Sequence, residues 1–201
     1  GVELNQSLSW DVNVLATRHL MEKAKKINVK KFIFASSGSV YGIKKEKKVT
    51  ENLDLVPITT YNKTKMIAER IIKSYEKEID TFCIRPATVC GYSPRMRLDV
   101  SVNALTFQAL NKNSINVFGG SQVRPNIHIK DMIRVYLHFL EKNIKPGVYN
   151  AGFENLSIIN LAKKIKKKIN CKIKITKSND PRSYRQNSEK LLRTGFKQKY
   201  Y

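Results

Sequence analysis

With 201 residues, 41% of them hydrophobic, the chain can close one sizeable core, or a core with a small second lobe. No apolar run reaches the roughly 20 residues that cross a bilayer. Gly1-Val2-Glu3-Leu4-Asn5 has neither region of a signal peptide, and Cys83, Cys90 and Cys171 form neither a CxxC metal pair nor a disulfide framework, so we expect no metal, no membrane span and a reducing cytoplasm. The formal charge of +22 is spread along the whole chain, with clusters at Lys44 to Lys48 and Lys163 to Lys168. We read it as solvated surface; there is no RGG tract, aromatic-interleaved basic strand or recognition helix to suggest specific nucleic-acid binding.

Residues 7 to 27 carry Leu8, Val12, Leu15, Leu20 and Ala24 at helical spacing, and Asn28 is a stop. Lys31 to Ala35 is a short apolar run fit for a buried parallel strand. Ser36-Ser37-Gly38-Ser39 and a lysine-rich loop follow. The pattern then predicts a helix over 61–77, a strand over 81–84 closed by Arg85-Pro86, a helix over 101–112 and a strand over 115–118. Beyond these come a short strand at 127–129, a helix over 131–142, a strand at 148–150, a helix over 157–169 and a strand over 172–176. Such alternation means βαβ units and a parallel sheet with helices on both faces. No GxGxxG turn occurs and the chain opens directly into a helix, so we expect the later part of a Rossmann-like sheet.

Tyr61-Asn62-Lys63-Thr64-Lys65 places a phenol and an ammonium four residues apart, on one helix face. A phenol is a poor base at neutral pH, and a nearby cation favours its ionised form. Tyr41 and Lys45 share the spacing but lie in a turn, which does not hold them face to face. Ser36, Ser37 and Ser39 follow a strand end, where ligands of open α/β sheets bind.

The order of strand, serine cluster, Val40-Tyr41-Gly42, Tyr61-x-x-x-Lys65 and Arg85-Pro86 resembles the extended short-chain dehydrogenase/reductases, which include NAD-dependent sugar-nucleotide epimerases and dehydratases. Val12 to Thr17 resembles that family's preceding helix, with Ala16 where glycine is usual. Arg124-Pro125-Asn126-Ile127-His128-Ile129-Lys130-Asp131 resembles its R-D-(F/Y)-(I/V)-H-V-x-D segment, and Asp180-Pro181-Arg182 its late arginine segment.

The resemblance implies an α/β fold with 1–86 and 127–152 as the dinucleotide-binding part. Residues 87–126 and 153–201 would form a small C-terminal α/β substrate lobe. It implies Tyr61 as acid/base, Lys65 holding the nicotinamide ribose and lowering the Tyr61 pKa, and Ser37 on the reacting sugar oxygen. Ser36 and Pro86 would lie by the cofactor. Ser39, Thr88, Arg124 and Arg182 would bind a nucleotide-diphosphate sugar. The cofactor would be NAD, with NADP left open. A homodimer built on the helices beside the serine strand is a further implication. Dehydratases of the family resemble one another in an acidic residue just before Val-Tyr-Gly; Ser37-Gly38-Ser39 has none, which favours 4-epimerisation. A 4-keto-sugar reductase using the same residues, or an inactive fragment, is the alternative. Cys90 and His128 read as structural rather than as a second acid/base pair.

Overall fold

The computed structural model of the chain describes residues 5–178 and 183–201. α1 (Gln6–Trp10) runs through a wider π segment, Asp11–Leu15, into α2 (Ala16–Lys26). Asn28, at φ 55°, turns the chain out of the helix, a left-handed conformation that asparagine tolerates. β1 (Lys31–Ala35), a 3₁₀ turn (Gly38–Tyr41), α3 (Thr60–Lys73), β2 (Asp80–Pro86), β3 (Thr88–Cys90) and α4 (Ser101–Lys112) follow. The rest is β4 (Ser114–Phe118), β5 (Val123–His128), α5 (Ile129–Glu141), β6 (Gly147–Ala151), β7 (Glu154–Ser157), α6 (Ile158–Lys166), β8 (Lys172–Thr176) and α7 (Glu189–Leu192).

The strands form three sheets rather than one. β1, β2 and β6 make a parallel sheet in that order, β4 pairs with β8 in parallel, and β5 lies between parallel β3 and antiparallel β7. Sequence patterning alone does not reveal β3, β7 or α7. Each is only three or four residues long, too short for a period, and the two strands exist through partners distant in sequence.

β2 organises the first core. Alternate side chains of a strand face opposite sides of its sheet. Phe82 and Ile84 therefore pack with Val135 and Phe139 of α5, and Cys83 packs with Met21 and Ala24 of α2 and Ile72 of α3. Arg85 continues the Cys83 side, which delivers it to α3. A separate core joins Leu105, Ala109, Ile115 and Val117 to Leu161 and Ile165, between α4, β4 and α6.

The expected apolar stripe is split. Its Leu8, Val12, Leu15 and Leu20 are exposed and its Ala24 is buried, and Ala24 points inward together with Val14, Thr17 and Met21. Both sets have helical spacing, and spacing alone does not say which stripe meets a core.

The C-terminal segment is tied down by Asp131, fully buried in the first turn of α5. Its carboxylate accepts N–H groups of Lys199 (3.1 and 3.2 Å) and Tyr200 (2.8 Å), and Arg134 Nη1 at 2.5 Å.

Phe139 has no exposed surface and sits between the Phe82 and Tyr149 rings. Phe139→Ala is expected to lower unfolding stability by about 3–5 kcal/mol. Truncating exposed Leu140 should cost less than about 0.5 kcal/mol. Urea unfolding of the two variants measures both.

Candidate active site

The serine turn begins where β1 ends. Ser36 N–H donates to Ile84 O at 2.8 Å, continuing the ladder one residue past the strand. Ser37 caps the 3₁₀ turn by accepting Ser39 N–H at 3.2 Å, and the Ser37 and Ser39 hydroxyls lie 2.7 Å apart. Ser39 Oγ donates to Asn62 Oδ1 at 2.6 Å. The turn admits no side chain at two places. A Cβ on Gly38 would come 2.9 Å from Gln186 Oε1 and 3.1 Å from Pro86 O, and Gly42 has φ +69° with Val56 O only 2.0 Å from its Cβ position.

Thr59 caps α3 by accepting Asn62 N–H, so Tyr61 and Asn62 sit in the first turn facing the serines. The Tyr61 phenol is hydrogen-bonded to Ser37. Burial raises its pKa above the ordinary value, while the Ser37 hydrogen bond and the Arg97 charge pull it down. Lys65 Nζ lies 5.9 Å from the Tyr61 ring centre and 4.7 Å from that of Phe34, and donates to Ala35 O at 3.0 Å. Burial lowers its pKa. Desolvation dominates the Tyr61 shift, and the Lys65 ammonium is turned toward the end of β1.

Behind the turn lies a buried polar network. Arg85 meets Glu69 through Nε at 2.9 Å and Nη2 at 2.6 Å, and donates Nη1 to Tyr41 Oη at 2.8 Å. Both charged side chains are about 5% exposed. Tyr41 Oη donates to Asn150 Oδ1 at 2.8 Å, and Gln186 Nε2 to Arg85 O at 2.6 Å. The Ser36 hydroxyl donates to Glu69 Oε1. Ser36, read from the sequence as a cofactor contact, therefore spends its hydroxyl inward on this network.

Ser37, Ser39, Tyr61 and Lys65 form one group, with Pro86 beside the turn. They lie at the carboxyl ends of β1 and β2, neighbouring parallel strands. Thr88 and Arg124 stand apart on the second sheet, with the Arg124 charge acting on the buried Tyr184 phenol. Arg182 lies outside the described residues. Cys90 and His128 are occupied structurally. The thiol donates to Ile127 O at 3.5 Å and burial pushes it up to about 11. His128 Nδ1 caps α5 by accepting Lys130 N–H, and its ring stacks on Tyr200. A groove of about 870 Å³ between α4, α6 and the C-terminal segment contains Cys90 and His128 but none of Ser37, Tyr61 or Lys65. Among the described residues no His, Cys, Asp or Glu cluster suits a metal ion. Asn62, Glu69, Arg97 and Tyr184 were missed as members of the site's surroundings. Glu69 alone had a signal, since it follows Tyr61 and Lys65 at i+8 and i+4 on one face.

Glu69→Gln leaves Arg85 buried against a neutral partner. Stability should fall by about 3–5 kcal/mol in urea unfolding. Alkali offers a second check. Burial pushes the Cys83 thiol up to about 12 from its ordinary 9.0. Between those values the unfolded chain gives up a proton that the folded chain keeps, so this contribution to stability is lost as pH rises. Stability should decline from pH 9 toward 11, and less steeply in Cys83→Ala.

The family model for the NAD dependent epimerase/dehydratase family matches residues 3–152. An uncharacterized UDP-glucose epimerase of Bacillus subtilis (strain 168) is 33% identical over 73% of this chain and 47% of its own length. A UDP-glucose 4-epimerase of Lactobacillus helveticus is 29% identical over 78% and 54%. The chain spans about half the length of these relatives. Among solved structures, the UDP-glucuronic acid 4-epimerase of Bacillus cereus, in complex with UDP-glucuronic acid and NAD, is similar at a TM-score of 0.80 and 29% identity, over 94% of this chain and 63% of that one.

Proposed function

The chain belongs to the NAD-dependent epimerase/dehydratase family, and from that premise we propose that it carries the Ser37–Tyr61–Lys65 centre of an NAD-dependent sugar-nucleotide 4-epimerase. The observation that carries this reading is the Tyr61 phenol hydrogen-bonded to Ser37, with Lys65 one helical turn on, at the carboxyl end of a parallel strand. Ser37 holds the reacting C4 oxygen, and Tyr61 Oη takes its proton and later returns it. NAD held by Lys65 and Pro86 would supply a reversible hydride acceptor for C4. The residues present fit that cofactor. Lys65 donates to Ala35 O at the strand end, and its ammonium carries further donors suited to a ribose hydroxyl, and Pro86 lies beside the serine turn.

Arg124 and Arg182 would pair with the diphosphate through their planar forks, with Ser39 and Thr88 on the sugar side. In this reading 1–86 and 127–152 serve the cofactor and 87–126 and 153–201 the substrate. The exposed stripe of Leu8, Val12, Leu15 and Leu20 supports a homodimer, and three free thiols fit a reducing cytoplasm. Among the described residues no helix is long and apolar enough to cross a membrane. Epimerisation rather than dehydration is favoured because the serine turn holds no carboxylate to expel water.

Tyr61→Phe should lower kcat about 10²–10⁴-fold at nearly unchanged KM for a UDP-hexose. Lys65→Ala should weaken NAD binding in calorimetry. Stoichiometric consumption of NADH instead of catalytic recycling would make the protein a reductase. Absence of NAD binding by this folded chain would overturn the reading for this chain.

A further inference from the structure

Asn62 is joined to the triad by geometry rather than by motif. It neighbours Tyr61, is 8% exposed, and accepts the Ser39 hydroxyl at 2.6 Å. Ser39 lies 2.7 Å from Ser37, which is hydrogen-bonded to Tyr61. Two consecutive residues of α3 thus grip two alternate residues of the serine turn, closing a ring of hydrogen bonds.

We propose that Asn62 is a positioning residue that sets the direction of this hydroxyl relay, and so keeps the Tyr61 proton in place. The inference rests on the triad reading above. An amide oxygen accepts hydrogen bonds and takes up no proton at neutral pH. With the Ser39 proton committed to Asn62, Ser39 is left to accept from Ser37, and Ser37 to accept from Tyr61. The chain of donors then runs Tyr61, Ser37, Ser39, Asn62, and ends there. Ser37 has one proton. The downward pull of Ser37 on the Tyr61 pKa is exerted only when that proton turns from Ser39 toward Tyr61. Removing the Asn62 acceptor lets Ser39 donate to Ser37 and turns the Ser37 proton toward Tyr61. A proton taken by Tyr61 from a substrate hydroxyl is accordingly not passed along the serines, and it remains available for return to the same oxygen.

The other groups facing Tyr61 are Lys65 on its own helix, Arg97 from the loop after β3, and Tyr136 of α5. None of these is touched by a change at Asn62. The test is the Tyr61 titration in the chain without cofactor, followed by NMR of ¹³C-labelled tyrosine and assigned with Tyr61→Phe. Asn62→Ala is expected to lower the Tyr61 midpoint by about one unit, the worth of one hydrogen bond to a charged group. Asn62→Asp, which keeps the acceptor, should not lower it. In a Ser39→Ala background, Asn62→Ala should add nothing further. An unchanged midpoint in Asn62→Ala, a fall in Asn62→Asp, or additive shifts would overturn the proposal. If Asn62→Ala does not fold, the Asn62→Asp titration and its dependence on Ser39 decide the matter alone. These readings need neither NAD nor substrate. A normal relay with no epimerase activity would therefore count against the function and not against Asn62.

Discussion

The ion pair of Glu69 and Arg85 is the constraint on which the rest of the site depends. Two opposite charges can lie in a protein interior only when each donor and acceptor is used. Here Glu69 accepts Nε and Nη2 of the guanidinium and the Ser36 hydroxyl, while Tyr41 accepts Nη1. Those partners come from α3, from β2, from the residue after β1 and from the 3₁₀ turn. The charges are satisfied only when all four are in place. Gln186, holding the Arg85 carbonyl, brings in the C-terminal segment as well. The network catalyses nothing. It sets the depth and angle at which the serine turn meets the first turn of α3, and this decides whether Tyr61 reaches Ser37.

The electrostatics of the site differ from what the overall charge suggests. Despite a formal +22, the cations near Tyr61 do not outweigh its burial. Lys65 is itself desolvated, which shifts its own proton affinity in the opposite sense. Both groups are therefore drawn toward their neutral forms by the same loss of solvent.

The Tyr61 and Lys65 pair was legible in the sequence because its geometry is local. A helix fixes positions four apart whatever surrounds it. The serine turn was legible for the same reason, lying directly after an apolar strand. What escaped were relations between distant positions. Asn62 meeting Ser39 and Arg85 meeting Glu69 depend on where β2 lies against α3, which no period encodes. β7 is a strand only because β5 is beside it. The α1–α2 region failed differently. Its helix was correctly read, but apolar residues occupy two stripes and the periodicity did not choose between them. The spread of Thr88 and Arg124 onto a second sheet was hidden because β3 is only three residues long.

Asp131 adds a condition on the order of events. A chain made from its N-terminus presents this carboxylate 68 residues before Lys199, the first of its backbone donors from the tail. Until those N–H groups arrive, α5 has a negative charge at a position that is fully enclosed in the finished fold. Water must stay there in their place, so the end of α5 next to β5 cannot seal early. A chain cut just short of Lys199 would retain nearly all of its apolar core yet keep this seam wet. The backbone N–H groups of Lys199 and Tyr200 thus decide whether this seam closes dry, through the buried Asp131 carboxylate.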